Sequence, residues 1–539
     1  MKKIRFKHII FIVILLPAIQ ACDLSYLDKD IEDFDTEASF AIAVGNITYT
    51  VGELFNEIDA KSVEIKENNE GIVSFVYLDT LASVTAVNAI EIPDQSFPSR
   101  DYNPGIDIPS PGSLINETLI LDQIPPFTFS LSGSNGEEFN EIVFSDGNLQ
   151  LTVQSTFTDV DIDLTLTFNS LRSKTDDTSH EVTISINGTT SEIIDVDLTD
   201  FWADLTDDGN GGSTTNTFVL TVSGSIDLEV GDTISPEQKL SFSLGMTNLQ
   251  FEAIYGDLKN QTINSESLTI DFDVFDDFGT GALLFADPTL QLIVDNSFGF
   301  PLGIDFGNIA ASNASETKFL MGAITDTPQI INSPTLAQEG QTVRDFITIE
   351  NTNSNIVDLL ALKPSQFTVD ISATSNPNSG SNQNFSLNTS ALSAYVEVNM
   401  PLDVVFENIE FEHELDNING ADFEDLGETT LNIHTINTIP LGGTLEMVFY
   451  NDNSIVHTIT KLVVFAAAPV DTNGISTGAT ENTTSFDIKG DEIKTATRAV
   501  LKLKMNTTNA SSNSPVKLLA ANTLDISITT DVSIEINNN

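Results

Sequence analysis

Alternation of apolar and polar residues limits the fold of this chain more than any other feature. In TDVDIDLTLTF (158–168), every second residue from Val160 to Phe168 is apolar, and Asp or Thr lies between them. Successive strand side chains point to opposite faces, so this pattern predicts a half-buried strand. The same period recurs in NLQLTVQSTF, TFVLTVSGSIDLEV and TLQLIVDN, and turn-forming residues such as Asp146-Gly147 separate the stretches. We therefore expect an all-β fold with minor α content, either an elongated antiparallel β-sandwich or long curved sheets.

Two short segments have helical periodicity instead. TVGELFNEI (50–58) and NSNIVDLLALKPS (353–365) each place their apolar residues on one helical face, and each lies between strand-like stretches. This repeated unit predicts two related halves, each with a short helix, although chance similarity remains an alternative. The Pro, Asn and Gly residues of 325–340 are typical of a linker. We therefore expect an N-terminal β domain at 40–325 and a C-terminal β domain at 326–539.

The first residues, MKKIRFKHIIFIVILLPAIQAC, have the order of a secretory signal peptide. Four basic residues precede an apolar run at 9–19 that is interrupted only by Pro17, and the small residue Ala21 follows. A run of this length is shorter than the roughly 20 residues that a membrane-spanning helix needs. We therefore expect residues 1–21 to be a signal peptide that is removed on export.

Cys22 is the one cysteine of the 539-residue sequence. The stretch Ile19-Gln20-Ala21-Cys22 resembles the lipobox of bacterial lipoproteins, with Gln20 in place of the more usual small residue. In that family the cysteine receives a diacylglycerol thioether, becomes the first residue after cleavage and can be acylated on its amino group. The resemblance implies that Cys22 carries two or three acyl chains, such as palmitate, which anchor the protein to a membrane.

Residues 22–39 are acidic and lack a clean period, so we interpret them as a tether. Acidic residues after the cysteine resemble the surface-export signal of Bacteroidetes lipoproteins. In some other bacterial lineages, Asp23 would instead imply retention in the inner membrane. We expect a lipid-anchored protein of the cell envelope, in the outer rather than the inner membrane and exposed at the cell surface.

Acidic residues far outnumber basic ones. The sequence contains 79 Asp and Glu against 22 Lys and Arg, which gives a net charge of −57. Such a chain repels nucleic-acid phosphates, so we predict no nucleic-acid partner. Anionic membrane surfaces also repel it, which leaves the lipid anchor as the expected contact with the membrane. The simplest interpretation of the charge is a hydrated and soluble surface.

Residues with catalytic potential are not arranged in known motifs. The histidines His180, His413, His434 and His457 form no HExxH or His-x-His arrangement, and the sequence has neither a G-x-S-x-G elbow nor a P-loop. Paired carboxylates such as Asp176-Asp177 are expected by chance in so acidic a chain and do not specify a glycosidase. We predict a non-catalytic protein without a cofactor, and a glycan-active enzyme is a minor alternative.

One stretch suggests a metal. In DLTDDGNGGS (204–213), Asp204, Asp207, Asp208 and Asn210 offer the oxygen ligands that calcium prefers, and glycines permit a tight loop. The spacing does not match the D-x-[DN]-x-[DN]-G calcium loop. A hairpin turn between the flanking strands is the alternative, so we assign no metal site.

LLFADPTLQLIVDNSFGFPLGIDF (283–306) has a strand, a break at 296–299 and a second alternating strand. It resembles the strand–turn–strand pattern of LEA-type β-sandwiches and, more distantly, the curved sheets of tubular lipid-binding (TULIP) proteins, whose long helix is missing here. It is also similar to large Bacteroidetes lipoproteins that have no assigned function. The resemblance covers this stretch and the general density of strands, and it implies no functional residue.

Two functions remain. In the first, the anchored protein binds a lipid or another hydrophobic ligand in an extended β structure, which the 34 phenylalanines and long amphipathic strands favour. In the second, it is a structural or adhesive surface lipoprotein with solid β-sandwich domains and an envelope protein as partner. An apolar groove long enough for an acyl chain would favour the first, and normal packing density would favour the second.

Replacement of Cys22 by alanine tests the predicted attachment site. Because the acyl chains are attached through the cysteine, the Cys22→Ala variant should lack lipid and keep its signal peptide. Mass spectrometry of the protein, together with its distribution between membrane and soluble fractions, measures both effects. Normal maturation of the variant would contradict the prediction.

Overall fold

The computed structural model describes residues 38–55, 63–110, 112–121, 124–264, 268–275, 278–378, 383–416 and 428–534. The predicted signal peptide and Cys22 therefore lie outside the described residues, as does the tether up to residue 37. Within the described ranges, almost all regular structure is β. No helix in these ranges is long and apolar enough to cross a membrane.

The strands and helices alternate with short loops. The first strands are β1 (Ala38–Thr50), β2 (Val63–Glu67), β3 (Val73–Thr85), β4 (Gln95–Ser96), β5 (Arg100–Tyr102), β6 (Glu117–Leu121), β7 (Phe127–Ser130), β8 (Glu138–Ser155), β9 (Asp161–Ser173), β10 (Ser179–Asn187), β11 (Ser191–Asp197), β12 (Phe201–Asp204), β13 (Thr217–Leu228), β14 (Leu240–Asp257), β15 (Thr262–Asn264), β16 (Leu268–Asp271) and β17 (Ala282–Phe285). The remaining strands are β18 (Thr289–Asn296), β19 (Leu302–Ser312), β20 (Thr317–Phe319), β21 (Gln329–Ile331), β22 (Val343–Ile349), β23 (Gln366–Ser375), β24 (Asn384–Leu387), β25 (Ala391–Pro401), β26 (Asp403–Glu407), β27 (Ile409–Asp416), β28 (Glu428–Asn437), β29 (Leu441–Asn451), β30 (Ser454–Phe465), β31 (Thr480–Lys489), β32 (Arg498–Thr507), β33 (Val516–Lys517) and β34 (Thr523–Ile534). The short helices are α1 (Val51–Phe55), α2 (Ala86–Ala89), α3 (Ile356–Leu360) and α4 (Gly490–Ile493).

These strands form six antiparallel sheets, which confirms the predicted all-β fold class. The twelve-stranded sheet has the order β24-β14-β8-β12-β9-β13-β6, with β4, β5, β7, β10 and β11 paired alongside. The six-stranded sheet is β15-β23-β19-β20 with β16 and β21, the five-stranded sheet is β2-β3-β25-β18-β22, and the three-stranded sheet is β17-β26-β33. Two four-stranded sheets complete the fold: the β1 sheet (β1-β34-β28-β31) and the β27 sheet (β27-β32-β29-β30).

The predicted alternation is seen directly in β9. Ile162, Leu164, Leu166 and Phe168 are fully buried, whereas the residues between them are exposed or partly exposed. Burial of each such side chain contributes roughly 1.5–3 kcal/mol, so the two-residue period sets which face of the strand lies inward. A large apolar core extends in this way through the twelve-, six-, five- and three-stranded sheets. A second core lies between the β1 and β27 sheets, around Phe449.

The short helices lie where the chain leaves one sheet and enters another. The segments predicted to be helical contain α1 and α3, and the same strand–helix–strand unit also occurs at α2 and α4. Helix α1 begins with a capping box: Glu53 Oε2 accepts hydrogen bonds from the Thr50 backbone N–H and hydroxyl, and the Glu53 N–H donates to Thr50 Oγ1. Its Val51 and Phe55 side chains are buried. Each helix therefore forms a corner between sheets.

The boundary predicted at 325/326 does not follow the strand pairing. Strands β22 and β25 pair with β18, β23 pairs with β19, and β24 pairs with β14, so strands from both sides share one sheet. The first described strand, β1, pairs along its length with the last, β34. The linker-like stretch at 325–340 contains β21, which pairs with β19, and its Ile331 is fully buried. Pro334 is buried as well, whereas Pro328, Asn332 and all of 335–340 are exposed, so only part of this stretch is packed.

Asp146-Gly147 is not the turn that its sequence suggests. Both residues lie inside β8, where a bulge places two β14 residues, Asn248 and Leu249, opposite Gly147. Gly147 has a φ of 142°, and a Cβ there would lie 3.0 Å from the Leu249 side chain and 3.2 Å from the Leu198 side chain. The glycine thus allows a close approach within a long strand.

The strand pairing predicts that a 326–539 fragment keeps only part of its structure. In this fragment, β22 to β25 lose every strand partner that the structure describes, because those partners all precede residue 326. We expect rapid amide hydrogen exchange across β22, β23, β24 and β25 in the fragment and slow exchange of these strands in the full chain. Strands β29 and β32 keep their mutual pairing and serve as the internal control. Equal protection of β22 to β25 in both proteins would support two sequential domains.

Candidate functional site

The four histidines are not brought together. His180 packs with its ring centroid 5.7 Å from that of Phe168 and 5.0 Å from that of Phe201, and burial lowers its pKa. His434 Nδ1 lies 3.0 Å from Thr483 Oγ1 in the β1 sheet. In the β27 sheet, His457 Nδ1 lies 3.5 Å from Glu492 Oε2, and His413 belongs to β27. The described part of the chain contains no group of three or more His, Cys, Asp or Glu residues that could hold a metal.

The acidic loop at 204–213 uses its carboxylates to hold its own backbone. Asp208 Oδ1 accepts hydrogen bonds from the backbone N–H groups of Asn210 and Gly212, at 2.7 and 2.8 Å. These two bonds lower the pKa of Asp208. Asp204 Oδ1 likewise accepts from the Thr206 N–H and hydroxyl. The loop closes a short hairpin of its own: Asp207 and Ser213 form an antiparallel bridge, and the Thr214 N–H donates to the Thr206 carbonyl oxygen at 2.9 Å. Strands β12 and β13 themselves do not pair, because β9 lies between them.

A carboxylate cluster lies where β12 joins β8. We define it as Glu141 on β8, Trp202 and Asp204 on β12, Tyr255 on β14, and Glu339. The strand register places Asp204 opposite Glu141, and Glu141 opposite Tyr255. The Tyr255 hydroxyl donates a hydrogen bond of 2.7 Å to Glu339 Oε1. Three carboxyl groups and two aromatic rings thus share one region of the twelve-stranded sheet.

Glu141 is the perturbed member of this cluster. Its carboxyl group makes no hydrogen bond or ion pair within the described residues. Partial burial raises its pKa, and the negative charges of Asp204, Glu339 and Asp177 raise it further. The pKa of Tyr255 is also raised, first by burial and then by its hydrogen bond to Glu339. Glu141 therefore binds a proton more readily than an exposed glutamate does.

Basic residues near the cluster are paired with other groups. Arg172 Nε lies 2.8 Å from Asp177 Oδ1, and the Arg172 guanidinium carbon lies 5.7 Å from the Trp202 ring centroid. Lys174 Nζ lies 2.9 Å from Glu252 Oε2 and donates to the Phe144 carbonyl oxygen at 2.7 Å. Neither cation forms an ion pair with Glu141, so the cluster keeps its excess of negative charge.

The carboxylate cluster can take up a proton, and it contains no Ser, Cys or His that would supply a nucleophile with an adjacent base. Sequence reasoning missed it because Glu141 is one of 79 acidic residues and has no distinctive neighbours along the chain. Only the register of β8 between β12 and β14 places it beside Asp204 and Tyr255.

An apolar cavity of about 20 Å³ lies between the five-stranded and six-stranded sheets. A water molecule needs about 10–15 Å³, and pockets for small-molecule ligands measure roughly 300–1,000 Å³. The Tyr77 hydroxyl at its border donates hydrogen bonds to Asp79 Oδ2 and the Asp271 carbonyl oxygen. The cavity is lined by Tyr77, Leu81, Ile270, Phe272, Leu290, Leu292, Phe306, Ile309, Phe367, Val369, Ile371, Val396 and Val398.

The raised pKa of Glu141 predicts that Glu141→Gln stabilises the protein near pH 7. The pKa of such a carboxyl group is higher in the folded state than in the unfolded state, where it is about 4.3. Its contribution to stability is therefore complete below about pH 4.3 and is lost as the pH rises through the folded-state pKa. The gain should be on the order of 0.5 kcal/mol near pH 7 and should vanish near pH 4, because solvent screens this half-exposed group. Denaturant unfolding at both pH values measures it.

Glu192→Gln is the matched control, since Glu192 is an exposed glutamate on β11 of the same sheet. It removes the same charge from the same acidic chain. An equal gain from Glu192→Gln would assign the effect to general charge repulsion and contradict the role of the Glu141 environment.

No protein-family model matches the sequence, and none of the curated proteins matches it. Solved structures are only distantly similar. A protein of the Bacteroidetes species Parabacteroides distasonis that is assumed to be secreted aligns with 52% of this chain and 88% of its own, at 13% identity and a TM-score of 0.28. An infectious bursal disease virus structure (Gx strain) covers 84% of this chain and 82% of its own, at 11% identity and a TM-score of 0.13. A tandem CBM22 domain of Paenibacillus barcinonensis covers 60% of this chain and 98% of its own, at 7% identity and a TM-score of 0.11. At TM-scores this low, we draw no conclusion about function from these similarities.

Proposed function

We propose that the protein is a lipid-anchored, non-catalytic component of the cell envelope, whose solid β-sheets serve a structural or adhesive role. The observation that carries the proposal is the packing between the sheets. The apolar cavity between the five- and six-stranded sheets measures about 20 Å³, whereas an acyl chain needs room for many methylene groups. The phenylalanines that suggested a ligand-binding interior pack against one another, as Phe272 does with Phe275 and Phe367.

The position of β1 supports attachment by the N-terminal side of the chain. Strand β1 begins at Ala38, at the end of the predicted tether, and pairs with β34 and thus joins the sandwich of the β1 and β27 sheets. From there the chain enters the five-stranded sheet and then the twelve-stranded sheet. We propose that a lipid on Cys22 holds the sandwich at the membrane and that the twelve-stranded sheet is presented to partners.

The proposed location is the outer membrane, with the protein exposed at the cell surface. The acidic residues after Cys22 support surface export, as they do in the Bacteroidetes lipoproteins that this segment resembles. The net charge of −57 supports a surface that stays hydrated and does not adhere to anionic lipids.

Native mass spectrometry of the protein purified from membranes tests the solid interior. The native mass should equal the denatured mass, namely the polypeptide from Cys22 with its covalent acyl chains. Because the cavity between the five- and six-stranded sheets, at about 20 Å³, has no room for a lipid, unfolding should release no further molecule. A lipid that is bound in a fixed ratio, and that is lost on denaturation, would instead support the ligand-binding function. A polypeptide mass without any acyl group would contradict the proposed lipid anchor. Whether the interior holds a lipid would still be tested separately by the difference between the native and denatured masses.

A further inference from the structure

Strand β6 leaves one edge of the twelve-stranded sheet open. It pairs with β13 through the register Glu117–Leu228 to Leu121–Gly224 and ends the strand order of its sheet. Within the described residues, no strand pairs with its other side. Natural edge strands are commonly protected by lysine, proline or a bulge, and β6 (ETLIL) contains neither lysine nor proline and pairs without a register shift. Its outer backbone groups are therefore able to accept another strand.

Large apolar side chains are exposed along this edge. Ile120 on β6 is 63% exposed, and in the adjoining loops Leu114, Ile115 and Val230 are 83%, 59% and 67% exposed. We call these four residues, with the open side of β6, the β6 edge patch. Exposed apolar groups gathered in one region mark interaction sites more often than isolated ones do.

Hydrogen bonds hold the two loops of the β6 edge patch together. The Ser113 N–H donates to the Asp232 carbonyl oxygen at 2.7 Å, and the Gly231 N–H donates to the Ser113 carbonyl oxygen at 3.0 Å. The Val230 N–H donates to Asn116 Oδ1 at 3.1 Å. The apolar side chains are thus presented from two loops that hydrogen bonds hold together. These loops therefore lose less conformational entropy when a partner binds.

The surroundings of the β6 edge patch are acidic. Residues 101–238 contain 25 Asp and Glu but only two basic residues, Arg172 and Lys174, and both of these are in ion pairs. The carboxylates next to the patch belong to Glu117, Asp227 and Glu229, which are exposed, and to Asp232, which is partly exposed. A matching partner must therefore combine apolar side chains with positive charge.

We propose that the β6 edge patch binds an extended segment of a partner protein in which apolar and basic residues alternate. Such a segment can add to β6 through backbone hydrogen bonds, pack an apolar side chain on Ile120, and place its basic groups among the carboxylates. A second copy of this chain would bring two acidic edges together, and an anionic membrane would be repelled. This inference goes beyond the proposed function, and it does not depend on lipid at Cys22.

Binding of a synthetic peptide of alternating leucine and lysine to the mature chain tests the proposal. We expect saturable binding by isothermal titration calorimetry, with slower amide hydrogen exchange in 117–121 on peptide addition. Ile120→Lys should weaken binding roughly tenfold or more, because it places positive charge on the open edge. Ile193→Lys is the matched control, since Ile193 is a 57% exposed isoleucine on β11 of the same sheet. It should change the dissociation constant by no more than about twofold.

Several results would overturn the proposal. No binding of the peptide would do so, as would an equal loss of binding in Ile120→Lys and Ile193→Lys, which indicates general charge attraction. Equal affinity for a serine–lysine peptide of the same length would show that the apolar side chains do not contribute. Light scattering that shows a dimer lost in Ile120→Lys would assign the edge to self-association. Vesicle binding lost in the same variant would assign it to a membrane surface.

Discussion

Antiparallel pairing between strands that are distant in sequence is the interaction on which the rest of this structure depends. β1 pairs with β34, β3 with β25, and β14 with β24. The chain therefore leaves the sandwich of the β1 and β27 sheets, passes through the five-stranded sheet to the twelve-stranded sheet, and returns. A strand that is buried away from water can satisfy its backbone hydrogen bonds only when its partner strand is present, so the parts of this fold depend on one another.

The high acidic content has different consequences in different places. In loops and at strand ends, carboxylates such as those of Asp208, Asp197 and Asp176 accept hydrogen bonds from backbone or hydroxyl groups close by, which lowers their pKa. Glu141 differs because it is partly buried beside other carboxylates, which raises its pKa. Around β6, the carboxylates surround exposed apolar side chains. The same residue types thus stabilise turns, form a protonatable group or, as we propose for β6, select a partner, depending on their neighbours.

Most local structure could be predicted from the sequence because it depends on near neighbours. The alternation in 158–168 identified the buried face of β9, and helical periodicity identified α1 and α3. Predictions that needed distant contacts were less successful. Asp146-Gly147 has the chemistry of a turn, but its partners on β14 make it a bulge within β8. Residues 325–340 have the composition of a linker, but β21 and its buried Ile331 attach their first part to β19, whereas 335–340 are exposed.

The sequence by itself determined the antiparallel β class, the inward faces of the strands and the acidic character of the surface, because side-chain period and charge are properties of the chain alone. It also predicted the attachment site at Cys22, which lies outside the described residues. Only the tertiary structure decided which strands share a sheet, that Glu141 lies beside Asp204, and that β6 pairs on one side only among the described strands. These features depend on contacts between residues far apart in the chain, and many alternative pairings would satisfy the same local pattern.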